Sequence, residues 1–291
     1  MFKGSYVAIV TPFKKAEVDF EKLGEIVEFH IKNGTNGLVP CGTTGESTTL
    51  SYKEHEDVIK FVVDKAAGRI KVVAGTGSNS TSETIEMTAF AKEAGADGVL
   101  LVSPYYNKPT QKGLYLHFKK IAEEVNIPIM LYNIQSRTAV NMEPETIAKL
   151  HRDCKNIIAV KEASGSLEQM TRILTLCPDI DMLSGDDALT LPLMAIGGKG
   201  VVSVVANIIP KDVLSMINDY SAGKTEEARK MHFKMFPLIK SMFIETNPIP
   251  VKTAMSILGM CDETLRLPMC SMDDKNKEKL VAAMKNYGLK F

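Results

Sequence analysis

Lys161 directly follows the apolar run Ile157-Ile158-Ala159-Val160. An ammonium group at the end of a buried strand is partly desolvated. That lowers its pKa and leaves a nucleophilic amine able to form a Schiff base with a carbonyl. The competing reading is a lysine that snorkels to the surface or pairs with Glu162. Tyr132 ends another apolar run, residues 128–131. A phenol beside the lysine would carry protons to and from a lysine-bound carbinolamine. Alone, such a tyrosine is ordinary packing; with Lys161 it favours Schiff-base chemistry.

Gly42-Thr43-Thr44-Gly45 offers backbone N–H groups and two hydroxyls in a tight loop, a nest suited to a carboxylate or phosphate, or else a plain turn. It lacks the GK[ST] ending of a P-loop, which argues against nucleotide phosphates. Arg137, within residues 132–138, has a fork that can hold a carboxylate bidentately; its other reading is a surface salt bridge. Asp186-Asp187 resembles a metal-binding pair, but helix capping explains it as well, and no metal is assigned. The five histidines are scattered without an HExxH. The five cysteines (Cys41, Cys154, Cys177, Cys261, Cys270) include no CxxC pair. Neither a zinc site nor a disulfide framework is expected, and a reducing cytoplasm fits.

The elements that must position these groups alternate regularly. Short apolar or β-branched runs fall at 6–10, 37–39, 70–74, 99–102, 128–132, 157–160, 181–183 and 201–205, with helical spacing between them. Ser51 with Glu54, Ser80 with Glu83, and Ser166 with Gln169 each fit a capping box. Gly34, Gly95 and Gly197-Gly198 close helices. Most strand runs are continuously apolar, as expected of parallel strands covered on both faces. Eight β–α units in the first 223 residues predict a closed (β/α)8 barrel, a fold of about 250 residues. An open doubly wound sheet is the alternative, but no GxGxxG follows the first strand, which ends in Thr11-Pro12.

In such a barrel the chemistry sits at the C-terminal strand ends. That brings together 41–46, 75–79, 105–107, 132–133, 161–162 and 184–187. Gly197-Gly198-Lys199-Gly200 looks phosphate-like but precedes the last strand and so lies at the wrong end. Beyond residue 223 the strand signal stops, and 226–243, 250–258 and 275–287 read as three helices. The expected organisation is an α/β catalytic barrel at 1–223 and a C-terminal helical domain at 224–291.

Composition narrows the partners. The 291 residues are 45% hydrophobic and 24% charged, the balance of a globular protein with a large core. Thirty-five basic and 35 acidic residues cancel, which argues against nucleic acid or an anionic membrane surface. No apolar run approaches the roughly 18 residues of a membrane span. The five-residue apolar stretch near the N-terminus is too short for a signal peptide.

Several motifs occur in register: GTTGE at 42–46, PYYNKPTQ at 104–111, YNIQSRT at 132–138, IIAVKEASG at 157–165, LSGDD at 183–187, GVVSV at 200–204, NPIPVK at 247–252 and LRLPM at 265–269. Together they resemble the dihydrodipicolinate synthase family, within the Schiff-base-forming pyruvate aldolase/lyase superfamily. The resemblance implies a (β/α)8 barrel with a helical C-terminal domain, a homotetramer built from two tight dimers, and no metal or organic cofactor. It implies that Lys161 forms a Schiff base with pyruvate, whose enamine adds to aspartate 4-semialdehyde to give 4-hydroxy-tetrahydrodipicolinate, on the way to diaminopimelate and lysine. Thr43, Tyr132 and Tyr106 match the family's proton relay, Tyr106 reaching in from a neighbouring subunit. Thr44 and Val202 match the pyruvate pocket, Gly185 is placed among the substrate-binding residues, and Arg137 matches the group that receives the semialdehyde carboxylate. Ser47, His55, Asn79, Glu83 and Tyr105 match the lysine effector site of inhibited members, with Tyr52 where those often carry histidine. Gln135 replaces a usual proline, which loosens the loop bearing Arg137.

Three other readings compete with this one. N-acetylneuraminate lyase and keto-deoxy sugar-acid aldolases have the lysine and tyrosine but a different second-substrate pocket; the Ser-Arg-Thr context of Arg137 and the paired Thr43-Thr44 favour the synthase. A non-catalytic small-acid-binding barrel would need no nucleophile beside a proton relay. A phosphate-sugar barrel enzyme lacks its usual Gly-rich loop after strands 7 or 8.

Overall fold

The computed structural model describes residues 1–291. Eight parallel strands close a barrel in sequence order: β1 (Gly4–Ala8), β2 (Gly37–Val39), β3 (Lys71–Gly75), β4 (Gly98–Val102), β5 (Ile129–Asn133), β6 (Ile157–Glu162), β7 (Asp181–Ser184) and β8 (Gly200–Ser203), with β8 paired to β1. Around them lie α1 (Phe20–Lys32), α2 (Tyr52–Ala66), α3 (Thr81–Glu93), α4 (Gln111–Glu124), the single turn α5 (Gln135–Thr138), α6 (Pro144–Asp153), α7 (Leu167–Leu176), α8 (Thr190–Ala195) and α9 (Pro210–Ser221). A small antiparallel hairpin, Phe13–Lys14 with Glu17–Val18, follows β1.

All eight expected strands form, β2 with the expected ends and the others with shifted ones. β6 runs on through Lys161 and Glu162. β8 stops at Ser203, short of the expected 205, because the Val204 and Val205 amides turn to donate to Asp187 Oδ2 at 2.9 and 3.1 Å. Of the three expected capping boxes only that at Ser51 is reciprocal. Ser80 and Ser166 do accept from the third helical residue, but the Glu83 carboxylate takes the Ser78 hydroxyl instead, and Gln169 reaches Glu162. Both side chains found better partners inside the fold. Pro144 and Pro210 open α6 and α9, where a fixed φ and a missing N–H cost nothing.

Alternation along the strands divides two cores. Phe2, Tyr6, Ala8, Val39, Val73, Leu100, Met130, Tyr132, Ala159, Leu183 and Val202 fill the barrel interior, while a larger layer packs between strands and helices. Phe2 and Tyr6 meet edge to face at 5.9 Å at the N-terminal end of the strands. Gly37 makes room for them: a Cβ there would lie 2.1 Å from the Tyr6 ring.

The chain finishes with α10 (Thr225–Ser241), α11 (Ile249–Ile257) and α12 (Asp274–Tyr287), each within two residues of the expected helices. α10 packs on α9 and α12, and α12 on α11. Lys252 on α11 reaches back to the loop after β2.

Candidate active site

β6 sets the lysine. Ala159 faces the interior, so Lys161, two residues on, faces it too, while Glu162 faces the helices. The Glu162 carboxylate is held there by Ser164 N at 2.7 Å, Asn133 Nδ2 at 3.1 Å and Gln169 Nε2 at 3.1 Å. The alternative in which it pairs with Lys161 is therefore not what forms. Lys161 is 6% exposed, and its Nζ lies 4.2 Å from the centre of the Tyr132 ring, on the neighbouring strand in direct register. Burial pulls its pKa down to about 7, with the Arg137 guanidinium adding to the effect and the Asp187 carboxylate opposing it. A large share of the amine is thus neutral near pH 7. Burial pushes the Tyr132 phenol up to about 12, while Arg137 and a hydrogen bond with the Thr43 side chain pull the other way. The phenol stays protonated, able to give a proton and take one back.

A cavity of about 250 Å³ opens on Tyr132, walled in part by Thr43, Glu46, Tyr132, Arg137 and Asn247; Lys161, against the Tyr132 ring, is not itself on its wall. Thr44 is buried behind it, its Oγ1 accepting from Asn247 Nδ2 at 3.0 Å. Arg137 donates to the Asn247 carbonyl at 2.9 Å. Asn247 thus ties the loop after β2 to the turn after β5. Gln135 opens that turn at the first helical position, so replacing the usual proline leaves the turn itself intact.

Gly185 follows β7 and lies against the lysine. A Cβ there would sit 3.1 Å from Lys161 Cε and 2.6 Å from Ala163 Cβ. Val202 is buried in the barrel interior, on β8 and off the cavity wall. Tyr106 does not join the site within one chain: it is 91% exposed, in the left-handed region at φ +72°. Five residues expected at an effector site, Ser47, Tyr52, His55, Glu83 and Tyr105, line a second pocket of about 180 Å³. Asn79 is not on its wall; its carbonyl accepts from Asn107. Ser47, Thr48, Gly77 and Tyr105 are common to both cavities.

Sequence reasoning missed the supports. Glu46 lines the cavity from a left-handed backbone (φ +53°), buried and paired with fully buried Lys252 at 2.5 Å. Lys252 also donates to the Thr264 carbonyl at 2.8 Å and stands over the Phe13 ring. Arg266 grips both oxygens of Glu54 and the carbonyls of Thr49 and Ala16. Asn247, Lys252 and Arg266 fall inside motifs noted for their resemblance, yet nothing in their local spacing says what they touch. Asp187 accepts from Ser203 Oγ and two backbone amides, while Asp186 caps the turn at Ala188.

A closed parallel barrel with a desolvated, interior-facing lysine and a protonated phenol against it defines a lyase of the Schiff-base aldolase class. A family model, the Dihydrodipicolinate synthetase family, matches residues 1–287, and the chain belongs to that family. It is 62% identical over 289 residues to the 4-hydroxy-tetrahydrodipicolinate synthase of Endomicrobium trichonymphae, covering 99% of each chain. It is 58% identical over 290 residues to the enzyme of the same name from Geotalea uraniireducens (strain Rf4), covering 99% of this chain and 100% of that one. The crystal structure of dihydrodipicolinate synthase from Aquifex aeolicus superposes with a TM-score of 0.98 at 53% identity, with 99% of each chain covered.

Proposed function

We propose that this chain condenses pyruvate with aspartate 4-semialdehyde to give 4-hydroxy-tetrahydrodipicolinate, on the way to diaminopimelate and lysine. The observation that carries the reading is Lys161, buried, facing the barrel interior and stacked on Tyr132, which with Arg137 lines the cavity. Neutral Lys161 adds to C2 of pyruvate; a C–N bond forms and the carbonyl π pair becomes an alkoxide, which takes a proton through Tyr132 and Thr43. Loss of water gives a cationic imine. Loss of a methyl proton converts it to an enamine, whose carbon adds to the aldehyde of the second substrate. The acceptor's own amine then attacks the imine carbon, closes the ring and frees Lys161. The imine is the electron sink, so the cycle calls for no metal or organic cofactor.

Thr44 and the loop amides suit the pyruvate carboxylate, with Gly185 and Val202 shaping the space around the lysine. The Arg137 fork suits the semialdehyde carboxylate. Tyr106, exposed in a single chain, fits a relay completed across the contact between two copies, and a homotetramer of two tight dimers provides that contact. The second pocket, with Ser47, Tyr52, His55, Glu83 and Tyr105 on its wall and Asn79 near its edge, fits an effector site for lysine. Five unpaired cysteines suit a reducing cytoplasm, and no helix is long and apolar enough to cross a membrane.

The test is product formation from pyruvate and aspartate 4-semialdehyde, read by a coupled reductase consuming NADPH. Turnover that disappears in Lys161→Ala is the expected result. No turnover, with pyruvate still trapped on the protein by borohydride, would move the assignment to a sugar-acid aldolase. Neither turnover nor trapping would remove the enzyme reading.

A further inference from the structure

Lys161 and Tyr132 face each other from neighbouring strands, one rung before both strands end. β5 and β6 pair Tyr132 with Lys161 and then Asn133 with Glu162, and beyond them the Ala163 amide donates to the Asn133 carbonyl at 2.9 Å. Because side chains alternate along a strand, the rung after the reacting pair points to the helix side of the wall. There Asn133 and Glu162, both fully buried, meet side chain to side chain. Asn133 Nδ2 donates to Glu162 Oε2 at 3.1 Å and to Asn141 Oδ1 at 2.8 Å, while Asn133 Oδ1 accepts from the Met142 amide at 2.9 Å. The Glu162 carboxylate also accepts from Ser164 N and Gln169 Nε2. Asn141 Nδ2 in turn donates to Gln169 Oε1 at 2.7 Å, which ties this clasp to α7.

The ladder below this rung does not by itself hold the register. Ile129 pairs with Ile157 but Met130 pairs with Ala159, so two residues of β6 stand against one of β5. The pairing that sets Tyr132 opposite Lys161 is re-established above that irregularity, over four rungs. A slip of either strand by one residue would turn its reacting side chain out of the barrel and bring Asn133 or Glu162 in. An amide and a carboxyl group matched to each other in a buried site make that slip costly, because each would be left without its partner.

We propose that Asn133 and Glu162 are positioning residues: their clasp fixes the end of β5 against the end of β6, and through it the placement of Lys161 and Tyr132 for attack on the ketone. The inference rests on the Schiff-base reading above. Both side chains lie outside the barrel interior, so each acts through the residue that precedes it in the chain. Addition needs the amine aligned with C2 of pyruvate while the phenol reaches the forming alkoxide. A misplacement of about 1 Å costs on the order of a hundredfold in rate. The pyruvate carboxylate is assigned to the loop after β2, on different elements. The clasp therefore governs how fast the C–N bond forms, and not how tightly pyruvate is held before it forms.

Reversing the polarity of the clasp tests this. Glu162→Gln sets an amide donor against the Asn133 amide, and Asn133→Asp sets a second carboxyl group against Glu162. The double variant restores one donor and one acceptor, with the Asn141 and Gln169 amides able to turn over and follow. The readout is single-turnover borohydride trapping of pyruvate on the intact protein at pH 8.5, where Lys161 is largely neutral, measured against pyruvate concentration. In each single variant the maximal trapping rate should fall about tenfold, with the half-saturating pyruvate concentration held within about twofold, and the double variant should recover most of the rate. Residues that only stabilised the fold would lower the melting temperature and leave the trapping rate of the folded protein alone. A wild-type rate in the folded single variants, or a double variant no faster than the singles, overturns the inference and leaves the Schiff base standing. No trapping on the wild-type chain overturns the Schiff-base reading and this inference with it. If neither single variant folds, Gln169→Met gives the second measurement, since it removes one donor to Glu162 from α7. Its maximal trapping rate should fall about threefold at an unchanged half-saturating concentration. An unchanged rate overturns the proposal.

Discussion

At Lys161 two demands conflict: the amine must be neutral to attack, yet it must become a cation as soon as it has done so. Burial meets the first by lowering its pKa to about 7. Below that pH the ammonium dominates and cannot add to a ketone. The kcat/KM for pyruvate is therefore expected to fall about tenfold per pH unit below 7 and to level off above it, read from a pH–rate profile. An acid limb with a midpoint near 9 or higher would mean the lysine is solvated. Stability changes in the same direction as activity: below 7 a buried cation is carried at full cost, and the cost fades as pH rises toward the unfolded lysine's 10.5. Gly185 guards the stem of the same side chain. Gly185→Ala puts a methyl group where 3.1 Å separates it from Lys161 Cε, and should reduce trapping by pyruvate tenfold or more while circular dichroism stays native.

Among the elements, the loop after β2 depends on residues some two hundred positions further on. Lys252 on α11 neutralises Glu46, both inside the protein. Lys252→Met strands a buried carboxylate and should cost about 3–5 kcal/mol in denaturant unfolding, whereas Glu46→Gln with Lys252→Met should recover most of it. A double variant no better than the single would show that packing, not charge, is what Lys252 supplies. This is also where the sequence stops being readable. Lys161 and Tyr132 stand out because a strand pattern is local and its end is visible in a few residues. Asn247, Lys252 and Arg266 act through contacts made only when α11 and the segment after it fold back over the barrel mouth, and no local period encodes that. β6 was legible as a strand, but its extension to Glu162 depended on ladder partners in β5 and β7. Tyr106 looked like a site residue only through resemblance, and in one chain it touches none of the site.

For the whole molecule, the barrel and its helical extension follow from alternation alone, but its tolerance of acid follows from buried histidines. Burial holds His30 near 3 and His117 near 4, well below the unfolded value of 6.5. Both are neutral in the folded protein and become charged on unfolding. Their contribution is complete above pH 6.5 and is lost as pH falls toward those values, each adding up to about 1.4 kcal/mol of loss per pH unit. Urea unfolding between pH 7 and 4.5 should show it, and His117→Gln should flatten the slope by about half of the histidine share. A slope unaffected by that substitution would place the acid sensitivity elsewhere.

The edge-to-face pair Phe2 and Tyr6 fills the barrel at the N-terminal strand ends, and at the other end a cavity opens on Tyr132 beside Lys161. A vessel with one opening fills and empties as a stack. The ketone that bonds to the lysine must enter first, and the aldehyde that reacts with it can only arrive on top. The finished ring must then depart before another ketone descends. Turnover in such a shaft is sequenced by its depth, and an excess of the second substrate would block the first at the door.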